Sequence, residues 1–184
     1  MKTRTIILAT ITGILLNTST MAQSAYKNFK VAVYARAYEV AKMNDTKWLD
    51  SIWSEIERQV HVDKIYLETH RDLIIVETKT LDIAKAYFKK RGIETAGGIT
   101  YTVYEPNRFQ TFCYTDPEHR QKVREIMEHS ARNFDEVILD DFFFTNCKCE
   151  KCIQAKGEKS WTQYRLDLME EAAHSLILNP AKAV

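Results

Sequence analysis

An apolar segment followed by two adjacent acids and a cysteine motif contains the residues of this chain that are best suited to chemistry. The segment 137–139 (Val-Ile-Leu) is short and rich in β-branched residues, which predicts a strand covered on both faces. Asp140 and Asp141 follow it directly, and a C-x-C-x-x-C motif begins at Cys147. Because successive strand side chains point to opposite faces, adjacent acids inside a sheet would bury an uncompensated charge. The pair is therefore expected at the carboxyl end of the strand, where parallel α/β proteins bind ligands.

The four cysteines of the chain have a spacing that suits a metal ion. Three of them form the motif Cys147-x-Cys149-x-x-Cys152, and the fourth is Cys113. A closed shell of four thiolates is typical of a structural zinc rather than a catalytic one. Disulfides are the main alternative because exported proteins use them, although a bridge between Cys147 and Cys149 would be strained. We predict a structural Zn²⁺ bound by these four residues; four unrelated reduced thiols are the third interpretation.

The amino terminus has the pattern of a secretory signal peptide. Two basic residues near the start precede an apolar stretch over 6–16, and Thr-Met-Ala at 20–22 is a small-x-small cleavage site. We therefore predict a signal peptide over residues 1–22 and a mature part over 23–184. The protein is expected to be periplasmic or extracellular, with no membrane association after cleavage. A retained membrane anchor is the alternative.

The overall charge excludes one class of partner. The formal net charge is +1, from 26 basic and 25 acidic residues, so no large positive field directs the protein to nucleic acid. The chain is 45% hydrophobic and contains only three prolines and five glycines, which is typical of an ordinary folded domain. No feature of the composition predicts the oligomeric state.

Strand and helix patterns alternate along the chain. Strands are predicted at 29–35, 64–68, 94–103 and 137–139, and helices at 45–59, 81–91, 116–133 and 160–178. Gly97 and Gly98 would allow a close backbone approach within the third strand, and Pro180 is expected to end the last helix at Asn179. Four strand–helix units in strict alternation favour a parallel sheet with right-handed crossovers.

Two architectures fit this α/β order of elements. A small doubly wound parallel sheet would be complete at this length, whereas an eightfold barrel needs roughly 250 residues. The last residues, 180–184, look like the approach to another strand. We therefore predict TIM-barrel-like (β/α) units, truncated after the fourth βα unit, and keep the doubly wound sheet as the alternative.

These features together resemble a known family of enzymes. Acids that end the fourth strand, C-x-C-x-x-C a few residues later and a cysteine after the third strand are similar to the amino-terminal half of a glycoside hydrolase (β/α)₈ barrel. The resemblance covers about 29–184 and is strongest to the β-galactosidases of family 42 and to uncharacterised exported barrel hydrolases of Bacteroides-type bacteria. It implies a secreted glycoside hydrolase, a carbohydrate substrate and a structural zinc beside the active site. Family 42 ends its fourth strand with Asn-Glu, whereas this chain has Asp140-Asp141, as do some hexosaminidase-type barrels.

The acid pair fits the chemistry of glycoside hydrolysis. Cleavage of a glycosidic bond needs one carboxylic acid to protonate the leaving oxygen and a second carboxylate as nucleophile, base or stabiliser. We assign Asp141 as the acid and Asp140 as its partner. If Asp141 faces the barrel, the period of two takes Val137 and Leu139 inward with it. A pair that caps a loop or contacts a cation is the alternative.

Polar residues near the ends of the first two strands are candidate sugar contacts. A guanidinium, an aromatic face and a carboxylate can all bind a polyhydroxylated ring. Two alternatives remain open. Arg36 could form an ion pair with Glu68, and His70 could be an ordinary surface histidine. The candidate substrate-binding residues are Arg36, Tyr38, Glu68, His70 and Arg71.

Two other functions are compatible with the sequence. The first is a noncatalytic carbohydrate-binding or scaffold barrel that keeps the structural zinc. A second catalytic Glu or Asp at the end of the seventh or eighth strand would distinguish the hydrolase from it. The second is a redox protein, which is disfavoured because an extra thiol adjoins the C-x-x-C pair of Cys149 and Cys152.

Overall fold

The computed structural model describes residues 26–184, which form a mixed α/β structure. The predicted signal peptide lies outside the described residues. No helix within 26–184 is both long enough and apolar enough to span a membrane. The strands are β1 (Ala32–Ala35), β2 (Lys64–Arg71), β3 (Ile74–Ile75), β4 (Glu94–Ile99), β5 (Thr102–Tyr104), β6 (Gln110–Thr111) and β7 (Val137–Leu139). The helices are α1 (Ala37–Val40), α2 (Thr46–Glu57), α3 (Thr78–Lys89), α4 (Pro117–Asn133), α5 (Glu150–Lys156), α6 (Trp161–Ala172) and α7 (Asn179–Lys182), with a π-helical segment at Ala173–Leu178.

The main sheet confirms the predicted parallel α/β arrangement. Its order is β1-β2-β4-β7, so the four predicted strands are neighbours in the order in which the chain forms them. All three of these pairings are parallel, and they align Ala35, Leu67, Gly97 and Val137 across the sheet. The short β3 pairs antiparallel with β2, and β5 and β6 form a separate two-stranded ribbon.

The two faces of the sheet have different environments. Val33, Ile65, Leu67 and Ile99 point to the face that packs against the helices, because they belong to the two hydrophobic clusters built with α2, α3 and α4. The opposite face remains open to solvent in part, since Ile138 is 42% exposed there. The helix-covered face therefore supplies the core, and the opposite face is available for other interactions.

Two glycines of β4 allow close packing on both faces. A Cβ atom at Gly97 would lie 2.9 Å from the Phe134 ring, and a Cβ atom at Gly98 would lie 2.7 Å from the Tyr34 ring. The predicted close approach at this pair is confirmed. Because Gly98 has no side chain, Tyr34 can lie across the open face of the sheet and reach the second strand.

The helices begin at residues with capping side chains. The Asp45 carboxylate accepts hydrogen bonds from the amides of Lys47 and Trp48 at the start of α2, and Asp116 accepts one from Glu118 at the start of α4. Such caps satisfy amides that have no partner within the helix, and each stabilises a helix by about 0.5–2 kcal/mol.

The end of the last helix differs from the expectation. Helical structure does not stop at Asn179, because the π-helical segment leads directly into α7, which continues to Lys182. Pro180 lies directly after the π-helical segment, where the regular α-helical hydrogen-bonding pattern is already interrupted. The same ring that would break a helix interior is tolerated at this position.

The strand ends also differ from the sequence-based bounds. β2 extends to Arg71, three residues beyond the predicted end at Glu68, so His70 and Arg71 lie within the strand rather than after it. β4 ends at Ile99, and the segment predicted as its continuation forms part of the separate β5–β6 ribbon. The longer β2 carries charged side chains to the carboxyl edge of the sheet.

Candidate functional site

A buried carboxylate lies at the carboxyl edge of the sheet. Glu68 is fully buried, and its two oxygens accept hydrogen bonds from the Tyr34 hydroxyl at 2.8 Å and from the Ala37 amide at 2.6 Å. Arg71 adds two more, from Nε at 2.8 Å and from Nη2 at 2.9 Å. The Thr100 hydroxyl also contacts this carboxylate. Glu68 therefore connects β1, β2 and the end of β4.

Arg71 is the centre of this polar network. Besides Glu68, its guanidinium contacts the carboxylates of Glu105 and Asp140, with Nη2 at 3.2 Å from Asp140 Oδ2. Thr100 Oγ1 accepts from Arg71 at 2.9 Å and lies 3.0 Å from Asp140 Oδ2. The Arg71 side chain is only 8% exposed, so three acids converge on one nearly buried cation. We name Glu68, Arg71, Thr100, Glu105 and Asp140 the Arg71 network.

The orientation of the acid pair differs from the conditional expectation. Val137 and Leu139 pack in the clusters on the helix side of the sheet, so they do not point to the face on which a barrel interior would lie. By the alternation of a strand, Ile138 and Asp140 belong to the open face. Asp140 joins the Arg71 network from that face, whereas Asp141 is exposed. The apolar helix layer determined this register, because it requires the branched side chains of 137 and 139.

Burial and charge change the proton affinities of the network. Burial, together with the neighbouring Glu68, raises the pKa of the Tyr34 phenol well above its usual range, so this hydroxyl remains a hydrogen-bond donor. Burial is the largest single effect on Arg71 and opposes its charge, but the hydrogen bond to Glu68 and the attraction of the neighbouring acidic groups together outweigh it and raise the pKa of the guanidinium. Arg71 therefore stays a cation, and its position is fixed by several acceptors.

A second set of contacts connects the network to the turn after β2. The Tyr38 hydroxyl donates to Asp72 Oδ2 at 2.7 Å, and the Glu105 amide donates to the same carboxylate at 3.0 Å. Asp72 has a φ of 50° and Leu73 a φ of 64°, which are uncommon for residues other than glycine. The Asp72 contacts hold this turn, and they bring Tyr38 to the edge of the candidate site.

Two of the candidate sugar contacts are too buried for direct binding. His70 is fully buried beside Tyr101 and Phe112, and its Nδ1 donates to the Thr100 carbonyl at 2.8 Å. Burial lowers the pKa of His70 to about 4, so the ring is neutral at neutral pH. It is therefore neither a sugar ligand nor a surface histidine in this structure. Glu68 is likewise enclosed by its own donors, and it orients the site rather than contacting a ligand.

Arg36 takes a different partner from the one considered in the sequence. It forms an ion pair with Glu39 at 3.2 Å, not with Glu68, whose cation is Arg71. The Arg36 guanidinium also lies 5.6 Å from the Tyr38 ring centroid. Its side chain is 54% exposed, so Arg36 stays accessible beside Tyr38 at the edge of the site.

The four cysteines converge at one point, as the motif predicted. The Cys113 sulfur lies 3.5 Å from that of Cys152 and 3.8 Å from that of Cys149, and the Cys149 and Cys152 sulfurs are 3.7 Å apart. All four sulfurs, including that of Cys147, lie within 4.8 Å of one another, and all four cysteines are free. A tetrahedron with Zn–S bonds of about 2.3 Å has edges of about 3.8 Å. The donor set and its spacing therefore fit one tetrahedral metal ion better than disulfides.

Protein groups around the cysteines support this arrangement. A hydrogen bond from the Cys152 amide lowers the pKa of Cys149 to about 7, whereas burial raises the pKa of Cys113 to about 12. The Thr115 hydroxyl lies 3.3 Å from the Cys152 sulfur and 2.6 Å from the Tyr164 hydroxyl. Such groups orient thiolate ligands from outside the metal shell. Helix α5 begins directly after Cys149, and it returns Cys152 to the cluster one turn later.

Comparisons with known proteins identify the family of the chain. A family model described as "Probable glycosyl hydrolase, catalytic domain" matches residues 17–184. The chain belongs to this family. An uncharacterised protein of Saccharolobus solfataricus is 30% identical over 186 residues, which cover 86% of this chain and 31% of that protein. The chain thus spans about a third of the length of this relative. No solved structure matches the chain.

Membership of this glycosyl hydrolase family confirms the coarse part of the resemblance and leaves the family 42 comparison as a prediction. Sequence reasoning missed four residues of the site, namely Tyr34, Asp72, Thr100 and Glu105. Tyr34 had a detectable signal, because alternation places it on the face opposite Val33 within a predicted strand. Glu105 had none, since it belongs to a loop whose path depends on tertiary contacts.

Proposed function

We propose that this chain supplies half of the active site of an exported glycoside hydrolase that cleaves O-glycosidic bonds of poly- or oligosaccharides. The observation that carries the proposal is the convergence of Glu68, Glu105 and Asp140 on Arg71 at the carboxyl edge of a parallel sheet. Enzymes with such sheets bind substrates at that edge. The family of the chain adds carbohydrate as the substrate class.

The proposed division of labour follows from where the two acids lie. Asp140 accepts hydrogen bonds at Oδ2 from Arg71, and Thr100 lies 3.0 Å from the same oxygen, so its carboxylate is held in one orientation. A fixed carboxylate suits the stabilisation of positive charge or the orientation of a participating group. Asp141 is exposed and accessible to a leaving-group oxygen, which suits the acid. A second catalytic carboxylate from elsewhere in the full-length protein would complete the pair.

The proposed architecture is the amino-terminal half of a (β/α)₈ barrel. Sequential strand order, helices packed on one face and an opposite face that carries Tyr34, Tyr66 and Ile138 support this interpretation. Within residues 26–184, the first and last strands of the main sheet, β1 and β7, each pair with a neighbouring strand on one side only. A second set of βα units would pair with both edges and enclose the open face.

The proposed metal is one structural Zn²⁺ held by Cys113, Cys147, Cys149 and Cys152. Four thiolates leave no open position for substrate, so the ion would stabilise the loop between β7 and α5 and take no part in catalysis. Export through the signal peptide at 1–22 is part of the same proposal, and it would place the enzyme in the periplasm or outside the cell.

The catalytic assignment is tested in the full-length protein with two matched variants. Asp141→Asn preserves size and removes the transferable proton, so turnover of natural glycosides should fall by roughly 10²–10⁴-fold. Aryl glycosides with good leaving groups need little protonation, and their turnover should fall much less. Asp140→Asn should reduce turnover of both substrate classes, because charge stabilisation does not depend on the basicity of the leaving group.

Glu158→Gln is a suitable control, because Glu158 is an exposed acid in the turn between α5 and α6. Its turnover should equal that of the wild type on both substrates. Equal and small losses for Asp141→Asn on both substrate classes would mean that the acid pair is structural. If the wild type hydrolyses no glycoside, the noncatalytic alternative gains support.

A further inference from the structure

Three phenylalanine rings form an exposed surface next to the acid pair. Phe109 is 47% exposed and Phe144 is 39% exposed. The Phe109 and Phe142 rings stack with centroids 5.0 Å apart and an interplanar angle of 18°, and Phe142 lies 6.2 Å from Phe144. We name these three residues the aromatic platform. Large apolar side chains that stay in contact with water in a cluster commonly mark a binding surface.

The platform is connected to the Arg71 network at both ends. Phe142 is the second residue after Asp140, which binds Arg71. Phe109 ends a loop whose first residue, Glu105, also binds Arg71, and the Phe109 amide donates to the Glu105 carbonyl at 2.9 Å. The segment 140–142 and the loop 105–109 are therefore connected twice. Asp140 and Glu105 both bind the Arg71 guanidinium, and the Phe142 and Phe109 rings stack on each other.

Two residues at the end of this loop, Arg108 and Phe109, have a backbone conformation that residues with a side chain rarely adopt. Arg108 has a φ of 51° and Phe109 a φ of 55°, values that are unfavourable for residues with a side chain. The conformation turns the Phe109 ring onto Phe142 rather than into one of the hydrophobic clusters. Strain of this kind is found where the surrounding contacts determine the conformation, and it is concentrated at ligand sites.

We propose that the aromatic platform binds the flat face of a pyranose ring in the saccharide unit next to the bond that Asp140 and Asp141 would cleave. The inference rests on the proposed function and names a subsite for it. The face of a phenylalanine ring is the negative side of its quadrupole, and it attracts the weakly positive C–H groups on the flat face of a sugar. The platform has no charged group of its own, so it recognises the shape of a neutral ring while the partly exposed Asp140 and the exposed Asp141 supply polar contacts.

Binding measurements on the full-length protein test this inference. The probes are the β-1,4-linked tetrasaccharides of glucose, xylose and N-acetylglucosamine, measured by calorimetry in an Asp141→Asn background to prevent cleavage. Phe109→Leu and Phe142→Leu keep an apolar side chain and remove the flat ring, and each should raise the Kd of the bound tetrasaccharide about tenfold. Phe109→Tyr keeps the ring and should leave the Kd within about twofold of the parent value.

Phe29→Leu is the control, because Phe29 is an exposed ring that precedes β1, at the opposite end of the strands from the platform. Its Kd should be unchanged. The inference is overturned if no tetrasaccharide binds, or if both leucine variants bind as tightly as the parent. A lower thermal midpoint with unchanged affinity would also overturn it, since the rings would then pack against polypeptide. Ring-dependent binding without hydrolysis of any glycoside by the wild type would contradict the proposed function and support the platform.

Discussion

The buried carboxylate of Glu68 gives the sharpest test of the network, through the substitution Glu68→Gln. One oxygen accepts from Tyr34, Arg71 Nη2 and Thr100, and the other accepts from the Ala37 amide and Arg71 Nε. A glutamine retains one acceptor and places an NH₂ group at the other position. The two hydroxyls can rotate to accept from this group, but the guanidinium cannot. At least one hydrogen bond from Arg71 is therefore lost in either orientation of the amide.

The expected loss of stability follows from this count. A hydrogen bond to a charged group is worth about 1.5–3 kcal/mol, and removal of one partner of a buried ion pair costs about 3–5 kcal/mol. Arg71 keeps Glu105 and Asp140 as partners, which reduces the second figure. We therefore expect Glu68→Gln to lower the free energy of unfolding by about 2–4 kcal/mol.

The assay is urea unfolding of the full-length protein, followed by circular dichroism, with Glu39→Gln as the matched control. Glu39 forms an exposed ion pair with Arg36, and its loss should cost no more than about 1 kcal/mol. A loss for Glu68→Gln equal to that of the control would refute the reasoning, because it would mean that Arg71 does not depend on this carboxylate. A change in the slope of the free energy of unfolding against urea concentration would indicate an altered compactness of the native or denatured state instead of a lost contact.

Three further expectations concern the metal, the architecture and the buried histidine. Purified protein should contain about one zinc per chain by metal analysis. Cys113→Ser should release the zinc and increase proteolysis of the loop after Phe144. Two disulfides in metal-free protein would contradict this expectation. Residues 23–184 expressed alone should self-associate in light scattering because sheet edges and one face are uncovered, whereas a monomer with cooperative unfolding would favour a doubly wound domain. Burial lowers the pKa of His70 to about 4. The unfolded chain therefore binds the proton first as the pH falls, and the free energy of unfolding should drop by about 2 kcal/mol between about pH 7 and 5; His70→Asn should abolish this part of the pH dependence.

The sequence predicted the parts of the fold that depend on local periodicity. Apolar alternation and helix caps predicted β1, β2, β4, β7 and the major helices, and a parallel sheet followed from their order. The length of β2 was underestimated because His70 and Arg71, which follow the predicted end at Glu68, are polar, and polar residues rarely continue a buried strand. They do so here because each finds partners on neighbouring strands, which a single-sequence pattern cannot reveal.

The candidate site was predicted where spacing alone determines contact. The C-x-C-x-x-C motif predicted a cluster, since three thiols within six residues can meet through local turns, and Cys113 joined it as the remaining cysteine. The Arg71 network was only partly predicted, because Thr100 and Glu105 reach Arg71 across more than 25 residues of sequence. Contacts of that kind depend on the strand register, and the register depends on the whole helix layer.

The choice between Asp140 and Asp141 illustrates how the core determines the chemistry of the site. Both acids follow the same strand, and either could face the open side if the pair is considered by itself. Val137 and Leu139 are the branched side chains that fit the helix layer, so their burial turns Ile138 and Asp140 to the opposite face. Asp140 then meets Arg71 and Thr100, while Asp141, which precedes Phe142 in the chain, stays exposed. A shift of one residue in the pairing of β7 with β4 would exchange the two acids, so the apolar residues of this strand assign the roles of its carboxylates.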